Sequence, residues 1–430
     1  MQPSTPSLSQ ATLDATLPHP GKRWQQLALG VVCMMSISSP QYVWALFTKP
    51  LSVALGATLA QLQVTFSILI VLQTFLAPLQ GFLIERFGPK RLLSLGALLT
   101  GASWVLAARA TDVVSLYLTY GLFGGVGTGI IYIGVIGLMV KWFPDRRGLA
   151  AGVVAAGYGM GAVFTTFPIS IGIAQSGHQH TLIVYGLVFG AVGLAAALAL
   201  QSPPRGYRPV SGASHQALGP DTTPGAMLRA PIFWLLFIMM TMMSTSGLMV
   251  ISQMGAFARD FGVADVAVFG LTALPLALTI DRITNGLTRP FFGWVSDRIG
   301  RENTMFIAFA LEGFAMTAWL LTRDNAVLFV LLSGLVFFGW GEIFSLFPST
   351  LTDTFGPRHA TTNYGLLYMA QGVGSILGGP LAALLYQRTG NWTSVFAVVI
   401  AMNFATAALA LVVLKPVRRR YLAQHVKTLG

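Results

Sequence analysis

The amino-acid sequence predicts an all-α membrane protein: twelve transmembrane helices arranged as two pseudo-symmetric six-helix bundles. Three observations carry that expectation. The composition is too apolar for a water-soluble globule, with 54% hydrophobic and 9% charged residues over 430 positions and a mean hydropathy of +0.69. Apolar runs of membrane-spanning length recur between short polar breaks. The chain also echoes itself. The stretch from Gly81 through Glu85, Arg86, Gly88, Pro89, Lys90 and Arg91 aligns with that from Gly293 through Asp297, Arg298, Gly300 and Arg301 at a shift of 212 residues (293 minus 81).

In chain order, the spans are expected near residues 25–47, 61–84, 91–108, 115–140, 148–173, 181–200, 231–257, 266–295, 303–322, 326–350, 361–386 and 392–414. Their continuous apolar character, without two-residue alternation, argues for helices and against a β-barrel. Before them, residues 1–23 are polar, rich in Ser, Thr and Pro, and lack the apolar core of a cleaved signal; a flexible cytoplasmic tail is expected. A weaker echo at the same shift links Phe143-Pro144-Asp145-Arg146-Arg147 with Phe355-Gly356-Pro357-Arg358-His359. The expected domains are an N-terminal bundle over 24–200, a cytoplasmic linker over 201–228, a C-terminal bundle over 229–415 and a basic cytoplasmic tail over 416–430.

The net charge of +12 does not imply nucleic acid, because its distribution is topological. One set of helix ends holds Lys22, Arg23, Arg86, Lys90, Arg91, Lys141, Arg146, Arg147, Arg205, Arg208, Arg229, Arg298, Arg301, Arg358, Lys415, Arg418, Arg419, Arg420 and Lys427. The other holds Lys49, Arg109, Arg259, Arg323 and Arg388. The positive-inside rule then places both termini and the linker in the cytoplasm, across a bacterial-type inner (plasma) membrane. Cys33 is alone, which excludes an internal disulfide and a cysteine-based metal cluster. No H-E-x-x-H, G-x-S-x-G or Walker loop is present, and His178 and His180 fall in an expected short outer loop, so no enzyme, cofactor or metal is expected.

Ionisable groups within the spans mark a functional site. Asp281, Arg282, Asn285 and Arg289 share the eighth span. At about 100° per residue, Arg282 and Arg289 lie within roughly 20° of each other with Asn285 between them, about 10 Å apart along the axis. Pro290 removes the donor to the Gly286 carbonyl, so the helix is expected to bend or open at Arg289. A guanidinium is a planar fork for a carboxylate; the competing reading of Arg289 is an ion pair with Glu342 or Asp281. Arg282 is either a second anchor for a dicarboxylate or is neutralised by Asp281. Glu342, in the tenth span, is a proton-coupling candidate beside Asp281, against a permanent salt bridge to an arginine. Glu312, in the ninth, is read as buried against a neighbour or protonated rather than functional. Arg282 and Arg289 against Asp281 and Glu342 sum to zero, so a monocarboxylate would need a proton to keep the cavity neutral.

The paired loops, which share the pattern G-x-x-x-[DE]-R-x-G followed by a basic residue within two positions, resemble the signature loops of the major facilitator superfamily. That resemblance implies gating roles for Glu85, Arg86, Asp297 and Arg298 at the cytoplasmic end, where the acid caps a neighbouring helix and pairs with arginine. A narrower resemblance is to the oxalate:formate antiporter family, itself related to the monocarboxylate transporters. It rests on Gln41-Tyr42-x-Trp44, on Lys141 to Ala150 followed by Ala156-Gly-Tyr158-Gly, and on Asn285-x-x-x-Arg289-Pro. Trp340 before Phe347-Pro348-Ser, and Asn363-Tyr364-Gly, complete it. It implies a carboxylate site between the halves, with Arg289 essential and Tyr42, Tyr132, Tyr158, Trp340 and Tyr368 as an aromatic box. The helix 11 lysine of the oxalate carrier stands here as Gln371, so one fixed positive charge is missing.

The function expected is secondary transport of small organic carboxylates by a monomer, monocarboxylates foremost, with protons or a counter-anion as the coupling species. The alternatives are an oxalate/formate-type or other dicarboxylate antiporter and a non-transporting carboxylate sensor.

Overall fold

The computed structural model describes residues 20–57, 59–204, 207 and 219–426. Most of the expected N-terminal tail, the last four residues of the C-terminal one and the middle of the linker, with Arg205, Arg208 and Lys427, lie outside them. The helices are α1 (Pro20–Ser36), α2 (Ser39–Tyr42), α3 (Trp44–Leu55), α4 (Leu59–Phe75), α5 (Ala77–Phe87) and α6 (Pro89–Ala107). Then come α7 (Val113–Trp142), α8 (Arg147–Ala199), α9 (Pro224–Arg229), α10 (Pro231–Asp260), α11 (Ala273–Ile299), α12 (Arg301–Leu321), α13 (Ala326–Trp340) and α14 (Ile343–Phe355). The last are α15 (Ala360–Thr389), α16 (Trp392–Leu409) and α17 (Lys415–Val426).

Nine passages are long and apolar enough to cross a bilayer when α1–α3 and α4–α5 each count as one bent span. The 53-residue α8 supplies a tenth, because it folds back at Gly177 (φ 79). With α6 and α11, whose charged residues dilute their hydropathy, the total among the described residues is twelve.

Local chemistry sets the ends. Gly88 (φ 89) and Gly300 (φ 94), 212 residues apart, stop α5 and α11 in the left-handed region that only glycine enters freely. Asp112 and Ser115 form a reciprocal capping box at the start of α7. The Asn325 side chain accepts from Val327 N and Leu328 N at 3.0 and 3.1 Å at the start of α13.

Four expectations are corrected. His178 and His180 do not sit in a loop, since the helix resumes directly after the turn at Gly177. Residues 266–272 are not helical: Ala267–Val268 and Leu271–Thr272 pair as a small antiparallel hairpin before α11. α11 runs through Pro290 without a break, because proline costs the helix one donor and here the neighbouring passages hold the rest in place. The tenth span, by contrast, breaks at Gly341 and Glu342 into α13 and α14.

The halves meet along two glycine-lined crossings at the end carrying the paired loops, here the motif end. Where α8 crosses α11, a Cβ on Gly148 or Gly293 would run into the other's backbone, and one on Gly152 into the Arg289 carbonyl. Where α5 crosses α15, a Cβ on Gly81 would lie 2.7 Å from Thr361 O, and one on Gly365 2.5 Å from Ala77 O. Small residues let these helices touch backbone to backbone, which supplies dispersion contact where lipid removes the hydrophobic drive. Every residue of α14 is buried.

Candidate functional site

Three of the Arg289 donors meet two neutral oxygens. Nη1 donates to the Ala155 carbonyl of α8 at 2.6 Å, while Nε and Nη2 donate to Asn285 Oδ1 at 3.1 and 2.8 Å. Asn285 lies one turn back on α11, so its carboxamide reaches the guanidinium without distortion. The Phe344 ring lies 4.5 Å from the guanidinium carbon, within cation–π range. Arg289 is 1% exposed. Neither Asp281 nor Glu342 is hydrogen-bonded to it.

Around the guanidinium runs a chain of rings. Tyr42 and Tyr158 have centroids 5.4 Å apart, Tyr158 and Tyr132 5.2 Å, Tyr132 and Tyr368 4.8 Å and stacked, and Tyr368 and Tyr364 5.7 Å. Tyr132, Tyr158 and Tyr364 lie within electrostatic reach of Arg289. The Tyr158 hydroxyl donates to Gln41 Oε1 and accepts from Gln73 Nε2 at 3.2 Å. Gln371 follows Tyr368 by one turn of α15 and is buried, and its Oε1 has no partner.

Two expected members stand apart. The Trp340 indole donates to the Met243 carbonyl at 2.8 Å and packs behind Phe344 at 5.5 Å, so Phe344 takes the place beside Arg289. Arg282 is half-buried and acts on Asp281, its neighbour in the chain, whereas the tyrosines face Arg289.

At the motif end the two loop acids cap helices of the opposite half. Glu85 accepts from Thr361 N at 2.9 Å, from Thr362 N at 3.3 Å and from the Thr362 hydroxyl at 2.6 Å. Asp297 accepts from Gly148 N at 3.1 Å and Leu149 N at 2.9 Å. Free N–H groups and the helix dipole both favour a carboxylate there. Arg86 and Arg298 are not the partners of these acids: their guanidinium carbons lie over the rings of Phe87 (5.5 Å) and Trp294 (3.9 Å). The nearby cations are Lys141, 3.7 Å from Glu85, and Arg301, 2.6 Å from Asp297. One residue after the glycine turn, Arg301 points back across it, while Arg298 leaves on the outer face.

Sequence reasoning missed Phe344, Gln73, the Ala155 carbonyl and Asp353. The last is 1% exposed and binds Arg147 across the two halves, Arg301 at 2.8 Å and Arg418 at 4.0 Å. A glutamine near the end of α4, after the apolar stretch 68–72, and a carboxyl near the end of α14 were the available signals; a phenylalanine among 28 offered none.

Comparison with known proteins identifies the family and the fold. The family model of the Major Facilitator Superfamily matches residues 27–280 and 235–427. The oxalate:formate antiporter of Oxalobacter formigenes is 32% identical over 406 residues, which cover 93% of this chain and 94% of that protein. Monocarboxylate transporter 13 of Bos taurus is 27% identical over 339 residues, 77% of this chain and 75% of that one. Among solved structures, the proton:xylose symporter XylE superposes with a TM-score of 0.68 at 12% identity, covering 92% of this chain and 96% of that one. The Escherichia coli fucose:proton symporter FucP gives a TM-score of 0.66 at 14% identity, covering 89% and 98%.

Proposed function

Because the chain belongs to the major facilitator superfamily and, within it, to the oxalate:formate antiporter family, we propose that this transporter carries small organic monocarboxylates. The observation that carries the reading is Arg289, a buried guanidinium whose hydrogen-bond partners, Asn285 and the Ala155 carbonyl, are neutral. Buried charge without a counter-ion is costly, and an arriving carboxylate would supply one through two parallel hydrogen bonds. The substrate would displace the Ala155 carbonyl from Nη1 and lie against Tyr42, Tyr132, Tyr158, Tyr368 and Phe344. Asn285 would keep the fork oriented, Gln371 would offer an uncharged contact, and Trp340 would brace Phe344. Arg282 is left as a partner of Asp281.

The halves, taken as 24–200 and 229–415, would rock about this site. Glu85 and Asp297 would hold the motif end shut and release it in the alternate state. The motif end is taken as cytoplasmic, with both termini on that side, in a bacterial-type inner membrane and as a monomer. Glu342 or a counter-anion would balance the imported charge. The antiporter resemblance keeps oxalate/formate exchange as the second reading, which the absence of a helix 11 lysine at Gln371 disfavours.

Counterflow of radiolabelled formate, lactate and oxalate in proteoliposomes tests the assignment. Arg289→Lys keeps the charge and loses the fork, and is expected to slow counterflow of the carried acid at least about tenfold, while the protein remains folded. Wild-type rates in that variant would remove Arg289 from the site. Preference for oxalate over both monocarboxylates would select the second reading.

A further inference from the structure

The break between α13 and α14 places two carboxyls back to back. Its cause is packing: a Cβ at Gly341 would lie 2.7 Å from the Asn285 carbonyl oxygen, and the Thr288 hydroxyl donates to the Phe338 carbonyl at 2.5 Å. The residue that leaves this break is Glu342, 0% exposed. Glu312 of α12 is also 0% exposed. It packs on α13 at Gly339, whose Cβ would lie 2.9 Å from Glu312 Cβ, three residues before Glu342.

Glu342 faces two charged groups: Glu312 from α12 and Arg289 from α11. Glu312 is further contacted by the Ser246 hydroxyl of α10, which donates to Oε1 at 2.6 Å, and by the Asn403 amide of α16. These last two groups carry no charge. Both Glu342 oxygens have no hydrogen-bond partner. Two ionised carboxylates cannot sit side by side in an apolar interior with no cation bonded to either. The cluster is short of a positive charge, and its enclosure favours the smallest one.

We propose that Glu312 and Glu342 together form the proton-carrying unit of the transporter, with Glu342 facing the Arg289 site and Glu312 completing the pair behind it. The coupling to substrate follows from Arg289. With the site empty, its positive field favours an ionised Glu342. A bound carboxylate cancels that field, so the pair takes up one proton as the site takes up one anion, and the loaded interior stays neutral. The proton enters from water on the side of anion entry and leaves with the anion on the other side. This inference rests on the carboxylate-carrier reading for its transport arm only.

Two measurements on the full chain test it. In nanodiscs, infrared difference spectra across a pH titration report the carbonyl stretch of a protonated carboxyl. The wild type is expected to show a titrating band that both Glu312→Gln and Glu342→Gln remove or displace, since each carboxyl needs the other. In proteoliposomes loaded with the same three acids, the ratio of pH-gradient-driven uptake to equal-pH counterflow is expected to fall at least about tenfold in Glu312→Gln, with the double variant no worse than either single one. A band in Glu312→Gln identical to that of the wild type would overturn the pair. So would gradient-driven uptake that survives in it. Wild-type vesicles that exchange none of the three acids would instead overturn the carrier reading, and the infrared result would still decide the pair.

Discussion

Tyr158 illustrates how one hydroxyl fixes a surface. It donates to Gln41 and accepts from Gln73, tying α2 and α4 to α8 while its ring packs against Tyr42 and Tyr132. Tyr158→Phe keeps the ring and strands both amides in a buried site, at a cost of about 0.5–1.5 kcal/mol. We expect a roughly two- to tenfold rise in KM for the carried acid with kcat little changed, measured by initial uptake rates. Arg289 and Asn285 were legible in the sequence because a charge and an amide are rare in an apolar run and so announce themselves. Phe344 was not, since one more ring in a membrane helix carries no such signal. Glu312 was visible as a buried acid, but its proposed relation to Glu342 was not, because that arises only where α12 crosses α13 at Gly339.

At the scale of the helix, the crossing of α8 and α11 governs the motif end. Its backbones touch at Gly148, Gly152 and Gly293, so no side chain can be inserted without separating the halves. Gly152→Leu should therefore hold the motif end apart, slow counterflow at least about tenfold, and expose Thr361, which is 2% exposed here. A Thr361→Cys probe in a Cys33→Ser background reads this directly: its thiol should label faster when Gly152→Leu is added, and unchanged labelling would mean the crossing does not set the conformation. The twelve passages could be read from apolar run length, and their division into halves from the 212-residue echo. The breaks could not. Proline at 290 leaves α11 continuous, whereas Gly341 and Glu342 split the tenth passage with no proline between them, because the neighbouring backbone of α11 decides where a helix must yield.

Across the whole molecule, the halves are joined at the motif end by hydrogen bonds from both directions: Glu85 to α15, Asp297 to α8, and Asp353 to Arg147. Asp353 is the keystone of the buried charge there, with three arginines around it. Asp353→Asn takes the anion from Arg147 and leaves Arg301 and Arg418 with Asp297 and Glu302, a loss of about 3–5 kcal/mol. A marked fall in Tm by differential scanning fluorimetry is the expected outcome, against a minor change for the exposed Asp324→Asn. The hydrogen bond from Arg289 to Ala155 has a different consequence. On the proposed reading, the group that recognises cargo also bolts one half to the other when no cargo is present. An unladen carrier must break that bolt unaided, whereas a laden one has exchanged it for the passenger's own oxygens. Return without freight is then the slow limb of the cycle, and swapping one acid for another outpaces one-way movement.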